Sequence, residues 1–202
     1  MSTSVIILSG GRSSRFGGSH KPAVELEGRS VLSRILAAVR VAVPEGTVWI
    51  AGTAEGLSES EAAEVRTVVE EPRFAGPLAG IAAASDAAAD EPDVTLVLAG
   101  DMPLITAELL RALLAACRRE ARPASSVDER GKTQFLCTAW PTALLRQRLA
   151  AVAPVADRPV KLLFSGIAPT LVDADPDQLA DFDTAEDLAR IRNSLAHPDR
   201  PN

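Results

Sequence analysis

The chain has 202 residues, 47% of them hydrophobic and 24% charged, which is typical of an ordinary globular protein long enough for one α/β domain with a large core. Its formal net charge of −6 argues against a general nucleic-acid or membrane-surface binder, because such proteins need positive charge. No apolar run approaches the ~20 residues of a membrane span, no signal peptide is apparent, and Cys117 and Cys137 lack motif spacing. We therefore expect a cytoplasmic protein with one domain over residues 1–196 and a disordered tail over 197–202.

The chain opens with an apolar run from Val5 to Leu8 that ends at Ser9 in a glycine-rich loop. Such a run predicts a strand buried on both faces, so the loop leaves the carboxyl edge of a sheet, where open α/β folds bind ligands. Glycines let backbone N–H groups approach a ligand, and cations suit a polyphosphate. The glycines are Gly10, Gly11, Gly17 and Gly18, and the cations are Arg12, Arg15 and Lys21. The loop therefore predicts a nucleoside triphosphate site, and the alternative is a surface loop with incidental cations.

Two common phosphate-binding motifs do not fit this loop. The P-loop needs Gly directly before its Lys and Ser or Thr after it, whereas Lys21 lies between His20 and Pro22. The dinucleotide fingerprint needs the triplet Gly-x-Gly, which does not occur in the loop. What remains is similar to the signature loop of nucleotidyltransferases that share the nucleotide-sugar pyrophosphorylase fold.

The rest of the chain alternates between predicted strands and helices. This alternation predicts a single doubly wound α/β domain, Rossmann-like, with a mostly parallel central sheet flanked by helices. Residues 52–64 are expected to form a loop or short exposed helix, and residues 122–132 a polar connection or hairpin. The further strands are predicted at 47–51, 65–69, 93–99, 133–140 and 167–172, and the helices at 31–39, 77–89, 107–119, 142–152, 160–164 and 185–195.

Two later stretches are expected at the same edge of the sheet as the glycine-rich loop. Pro77 after Gly76 is a good first helical residue, and the N–H groups and dipole at that helix end favour anions. Asp101 follows the strand that ends at Ala99, where a carboxylate is well placed to hold Mg²⁺ beside phosphates. The alternative is an Asp that caps a helix or makes a turn, although Thr106 is the better cap for the next helix.

These stretches together resemble the molybdenum cofactor guanylyltransferases of the MobA type, in the nucleotide-diphospho-sugar transferase-like superfamily. The resemblance extends in order over nearly the whole chain. It rests on Leu8-Ser9-Gly10-Gly11 with Arg15, Gly17-Gly18 and Lys21, on Gly76-Pro77-Leu78-Ala79-Gly80, on Gly100-Asp101-Met102-Pro103, and on Asp183-Thr184-Ala185-Glu186.

The resemblance implies transfer of GMP from GTP to the terminal phosphate of the molybdopterin cofactor, with release of pyrophosphate and with Mg²⁺ as the metal. It also implies transient contact with cofactor-synthesis proteins or molybdoenzymes. It implies that the catalytic residues are Arg15, Lys21 and Asp101. It implies that the nucleotide is bound by Leu8, Ser9, Gly10, Gly11, Lys21, Glu71, Gly76, Pro77 and Asp101. It implies that Asp101 ligates the metal, with Asp183 either a second ligand or the cap of the last helix.

The chain departs from the family pattern at three places. His20 stands where the family usually has Asp before the Lys, and we expect it to be an exposed loop residue rather than a catalytic base. Asp181 and Asp183 stand where the family typically has two Asn. Glu71 is a longer acid than the expected Asp.

Three other functions are compatible with these residues. A cytidylyltransferase of the same pathway is favoured by Asp181 and Asp183, but the Gly-Pro-Leu-Ala-Gly turn argues against it by resemblance. A sugar-phosphate or isoprenoid-precursor nucleotidyltransferase fits less well, because those chains are usually longer or carry more basic residues late in the sequence. A nucleotide-binding module without catalysis is the alternative from a different class.

Overall fold

The computed structural model describes residues 2–10, 20–88, 91–128, 131–182 and 184–196. Within these ranges the chain forms a seven-stranded sheet flanked by helices and a separate two-stranded hairpin. The strands are β1 (Thr3–Ser9), β2 (Glu25–Leu26), β3 (Arg29–Ser30), β4 (Thr47–Gly52), β5 (Arg66–Val68), β6 (Val94–Ala99), β7 (Ala124–Val127), β8 (Thr133–Pro141) and β9 (Thr170–Asp173). The α-helices are α1 (Val31–Ala42), α2 (Glu59–Ala63), α3 (Pro77–Ala87), α4 (Ala107–Glu120), α5 (Thr142–Ala151) and α6 (Ala185–Ala196), and short 3₁₀ helices cover Lys21–Ala23, Val160–Phe164 and Pro176–Leu179.

The large sheet has the strand order β5-β4-β1-β6-β8-β7-β9. β1 pairs in parallel with β4 and β6, β4 pairs in parallel with β5, and β7 pairs in parallel with β9. β8 runs antiparallel to its neighbours β6 and β7. The predicted α/β fold with a mostly parallel, Rossmann-like sheet is therefore confirmed. Among the described helices, none has both the length and the apolar character needed to cross a bilayer.

The sheet has a hydrophobic core on each face, because successive side chains of a strand point to opposite sides. In β1, Val5 and Ile7 pack in the core that includes α1, α4 and α6, while Ile6 packs in the core that includes α3 and α5. Full burial of such a side chain stabilises the fold by ~1.5–3 kcal/mol. The two-sided core holds the carboxyl ends of β1, β4 and β6 in fixed positions, and these ends carry the site described below.

The two cysteines lie in the first of these cores as free thiols. Burial raises the pKa of Cys117 and of Cys137 to about 11. Since the thiolate is the reactive form, both side chains act as small apolar residues.

Residues 122–132, predicted as a connection or a hairpin, contain β7, which forms an antiparallel pair with β8. The sequence does not predict β7 as a strand, because two of its residues are serines. Both are fully buried: Ser125 Oγ donates to the carbonyl of Gln134 at 3.0 Å, and Ser126 Oγ donates to the carbonyl of Cys137 at 3.3 Å. These hydrogen bonds offset the cost of burying the hydroxyls.

Side chains cap the starts of α1, α4 and α6, and the cap at α4 is the predicted Thr106. Ser30 Oγ accepts the N–H of Ser33 at the start of α1 (3.0 Å), and Thr106 caps α4. At α6 the cap is Thr184, whose Oγ1 accepts the N–H of Asp187 at 3.1 Å while the Asp187 carboxylate accepts the N–H of Thr184 at 3.1 Å. These two residues therefore form a reciprocal cap at the start of α6. The alternative that Asp183 caps this helix concerns a residue outside the described ranges and stays a prediction.

Candidate active site

A cavity of about 480 Å³ opens at the carboxyl edge of β1, β4 and β6. The strand ends contribute Leu8, Ala51 and Ala99 to its wall, and the start of α3 contributes Gly76 and Pro77. Parallel strands end at one edge of a sheet, so stretches distant in the sequence meet there. The cavity therefore lies where the sequence predicts a ligand.

Two glycines allow the elements around the cavity to approach β1 closely. A Cβ on Gly100 would lie 2.3 Å from the carbonyl oxygen of Leu8, and one on Gly80 would lie 3.2 Å from Leu8 Cδ2. Only glycine permits the first of these approaches. The glycines bring Asp101, directly after β6, and the start of α3 to the end of β1.

Lys21 and Asp101 are paired on the wall of this cavity. Lys21 Nζ lies 4.0 Å from Asp101 Oδ2 and 5.5 Å from the centroid of the Phe182 ring. The side chain of Lys21 is 18% exposed, and that of Asp101 is 30% exposed. A cation and a carboxylate that converge from distant parts of the chain are placed to bind a phosphate and a divalent metal side by side.

His20, which follows the glycine-rich loop, contacts Ser9, which precedes it. Its Nε2 lies 2.8 Å from the carbonyl oxygen of Ser9, and because a carbonyl only accepts hydrogen bonds, Nε2 carries the proton. Its Nδ1 lies 3.7 Å from Glu55 Oε2, and the side chain is only 16% exposed. The prediction of an exposed loop residue is therefore wrong: the imidazole reaches back to the end of β1 and joins the residues on either side of the loop.

Ser9 is fully buried and is not among the residues that line the cavity. Its Oγ donates to the carbonyl of Thr53 at 2.7 Å, and its own carbonyl accepts the hydrogen bond from His20. Of the three residues predicted to meet the nucleotide at the end of β1, Leu8 and Gly10 line the cavity, while Ser9 fixes the strand end beneath it.

The acid on the cavity wall is Glu70 rather than Glu71. Glu70 lines the cavity, and its Oε1 accepts the N–H of Phe74 at 2.9 Å. Glu71 is exposed and is not a lining residue. Both acids follow β5 outside any regular element, so the sequence gives no reason to prefer the first.

The start of α3 lines the cavity with Gly76 and Pro77, which carry no polar side chain. Gly76 precedes the helix at φ 91° and no side chain caps it, and Pro77 is the first helical residue. A left-handed φ suits glycine, and an uncapped N-terminus with its helix dipole attracts anions. This end of α3 is therefore suited to a phosphate group.

Six of the predicted site residues share the wall of one cavity: Leu8, Gly10, Lys21, Gly76, Pro77 and Asp101. Three others, Gly11, Arg15 and Asp183, lie outside the described residues. The sequence prediction did not include His20, Glu70 or Phe74, which also line the cavity.

A second cavity of about 440 Å³ adjoins the first and shares Asp101 with it. Its wall includes Lys132, Gln134 and Phe135 near the start of β8, and also Asp181. Asp101 therefore lines both cavities.

The donor set suits a metal that is held partly by its substrate. Within the described ranges, no group of three or more His, Cys, Asp or Glu side chains converges on one point. Mg²⁺ is usually held by one or two carboxylates together with substrate phosphates and water, so a single wall carboxylate such as Asp101 fits it.

Comparison with known proteins assigns the family. A family model described as a MobA-like NTP transferase domain matches residues 5–168. The chain is 31% identical to a molybdenum cofactor guanylyltransferase from Bradyrhizobium sp., over 96% of this chain and 94% of that protein. It is 34% identical to one from Ectopseudomonas mendocina, over 92% of this chain and 90% of that protein. The chain belongs to the molybdenum cofactor guanylyltransferase family.

Membership of this family confirms the resemblance read from the sequence motifs. The same architecture occurs in a solved nucleotidyl transferase from Methanothermobacter, with a TM-score of 0.74 and 23% identity over 98% of this chain and 99% of that chain. At that identity the likeness supports the fold alone.

Proposed function

We propose that this protein transfers the GMP moiety of GTP to the terminal phosphate of the molybdopterin cofactor and releases pyrophosphate. The observation that carries the proposal is the pair Lys21 and Asp101, 4.0 Å apart on the wall of the first cavity, where Asp101 also lines the second cavity. One cavity would hold the nucleotide and the other the acceptor. A cytoplasmic location and transient contact with cofactor-synthesis proteins or molybdoenzymes belong to the same proposal.

The first cavity would offer separate partners to the phosphates and to the base of GTP. The uncapped start of α3 and the backbone at Gly10 would bind phosphates, and Lys21 would contribute a positive charge. Glu70 would meet the base, because a carboxylate accepts hydrogen bonds from two adjacent N–H groups and guanine presents N1–H and the 2-amino group side by side. Gly11 and Arg15 would act with them in the glycine-rich loop.

The reaction is an in-line displacement at the α-phosphorus of GTP. An oxygen of the acceptor phosphate forms a bond to that phosphorus, the bond to the bridging oxygen of the β-phosphate breaks, and pyrophosphate leaves with the electron pair. The attacking oxygen is already ionised near neutral pH, since the second pKa of a phosphate monoester is ~6. The site therefore needs no general base, which agrees with the use of His20 as a structural link.

Lys21 would stabilise the negative charge that grows on the phosphate oxygens in the transition state. Asp101, with Asp183 as a second candidate, would hold Mg²⁺, which when bound supplies positive charge to those oxygens. Loss of one such preorganised group commonly lowers the rate about a hundredfold.

The acceptor would enter the second cavity. Lys132 and Gln134 on its wall offer a cation and an amide to a phosphorylated heterocycle. Since Asp101 belongs to both cavities, the terminal phosphate of the acceptor would reach the α-phosphorus of GTP at the residue proposed to hold the metal.

The test is an assay of nucleotidyl transfer by the purified protein with molybdopterin cofactor, Mg²⁺ and one of GTP, CTP or ATP. The amount of pyrophosphate released measures turnover. We expect kcat/KM for GTP to exceed that for CTP by on the order of 10³, because CTP would leave part of the buried hydrogen-bonding surface unpaired. Removal of Mg²⁺ with a chelator should abolish turnover. A preference for CTP would instead identify the cytidylyl branch, and no release of pyrophosphate with any nucleotide would indicate a non-catalytic module.

A further inference from the structure

Phe74 combines an exposed aromatic ring with an unfavourable backbone conformation. Its φ is +64°, in the left-handed region that bulky side chains rarely occupy because the Cβ crowds the following carbonyl. Its side chain is 51% exposed, yet it lines the main cavity. Such an arrangement costs stability and persists where the surroundings enforce it, commonly at ligand sites.

Hydrogen bonds on both sides of Phe74 enforce this conformation. The Phe74 N–H donates to Glu70 Oε1 at 2.9 Å. The next residue, Ala75, is buried, and its carbonyl accepts the N–H of Asp157 at 2.7 Å. The backbone of Phe74 is therefore tied to Glu70 on one side, and the next residue is tied to Asp157 on the other. Phe74 and Glu70 both line the cavity.

The neighbouring wall is mostly apolar. It includes Leu8, Ala51, Pro77 and Gly80, which suit the face of a flat heterocycle better than a phosphate. Among the described lining residues, the one with a benzene ring is Phe74. This ring is half exposed at the cavity wall, so it is placed to offer an aromatic face to a ligand.

We propose that the ring of Phe74 is the stacking platform for the nucleotide base, and that Glu70 both fixes this platform and meets the edge of the base. The inference rests on the proposed function, since it assumes that this cavity binds a nucleotide. A base offers a π-face to Phe74 and N–H donors to Glu70, and the two side chains come from a single anchored segment. Stacking is sensitive to loss of the ring and tolerant of its replacement by another aromatic ring.

The test compares Phe74→Gly, Phe74→Ala and Phe74→Tyr with the wild type by calorimetric titration of GTP in the presence of Mg²⁺. Removal of the ring should raise the Kd for GTP about tenfold or more, and tyrosine should restore most of the affinity. Inorganic tripolyphosphate has no base, so its Kd should be the same in all four proteins. Leu171→Ala, which removes another exposed large apolar side chain from outside both cavities, is the matched control and should bind both ligands normally.

The glycine variant separates stability from binding. Glycine adopts a φ of +64° without strain, so Phe74→Gly should melt at the wild-type temperature or above it while it binds GTP weakly. Loss of GTP and tripolyphosphate affinity in parallel would show that the ring only supports the fold, and would overturn the platform.

Outcomes for the platform and for the proposed function are distinct. Unchanged GTP affinity in Phe74→Gly, with normal GTP binding by the wild type, would overturn the platform and leave the function standing. Binding of CTP rather than GTP with the same dependence on Phe74 would support the platform and overturn guanylyl transfer. Failure of the wild type to bind any nucleotide would overturn both.

Discussion

At the scale of single residues, His20 is the least expected member of the site. Its ring donates to the carbonyl of Ser9 at 2.8 Å and so joins the two ends of the glycine-rich loop. We predict that His20→Ala raises the Kd for GTP about three- to tenfold, because without this hydrogen bond residue 20 is no longer held against the end of β1. Titration of GTP by calorimetry checks this prediction.

The control for this prediction is His20→Gln, which keeps a side-chain N–H donor of similar reach. It should retain more GTP affinity than the alanine variant. Equal affinities in wild type and His20→Ala would show that the hydrogen bond to Ser9 does not hold the loop for binding.

Sequence alone could predict the residues that follow the ends of buried strands. Asp101 stands out because it follows an apolar run and Gly100, and Lys21 stands out as a cation of the glycine-rich loop that follows the first apolar run. Glu70 could not be chosen over Glu71, since the choice depends on the direction of each side chain as it leaves β5. His20 could not be placed, because its partner is a backbone carbonyl and leaves no trace in the sequence.

At the scale of elements, the approach of β6 to the end of β1 depends on Gly100. A Cβ at this position would lie 2.3 Å from the carbonyl oxygen of Leu8. This oxygen belongs to the backbone of a buried strand, so it cannot move aside as the end of a flexible side chain could. We predict that Gly100→Ala costs ~1–3 kcal/mol of unfolding free energy and moves Asp101 enough to lower kcat about a hundredfold. Denaturant titration and a turnover assay measure the two effects.

Gly166→Ala provides the comparison for the Gly100 variant. Gly166 also has a positive φ, of 74°, but a Cβ there would meet nothing within 4 Å, and the residue lines neither cavity adjoining Asp101. It should lose some stability through backbone strain and keep wild-type kcat. If Gly100→Ala also kept wild-type kcat, the close approach of these strands would not be what positions Asp101.

Hydrophobic patterns predict which elements exist better than they predict direction. β1, β4 and β6 are continuous apolar runs, so a parallel sheet buried on both faces could be expected. The reversal of β8 could not, because a strand's pattern is the same in either direction and only its hairpin with β7 sets its orientation. β7 itself was unrecognisable as a strand, since Ser125 and Ser126 are accommodated in the core by hydrogen bonds to the carbonyls of Gln134 and Cys137.

At the scale of the whole molecule, the fold brings two adjoining cavities to one edge of the sheet with Asp101 between them. The topology of parallel strands predicts such an edge, and the charges of Lys21 and Asp101 predict a phosphate and a metal there. The shape of the second cavity was beyond prediction, because its wall is built from β8 and residues 179–181, which meet only in the folded chain.

The most direct measurement is pyrophosphate release from GTP, with molybdopterin cofactor and Mg²⁺, by Lys21→Ala and Asp101→Asn. Both variants should fold normally and lose about a hundredfold or more in kcat. Lys161→Ala and Asp173→Asn, which change exposed residues outside the main cavity, should keep wild-type turnover. Wild-type turnover in both Lys21→Ala and Asp101→Asn would contradict the proposal that this pair forms the reacting centre.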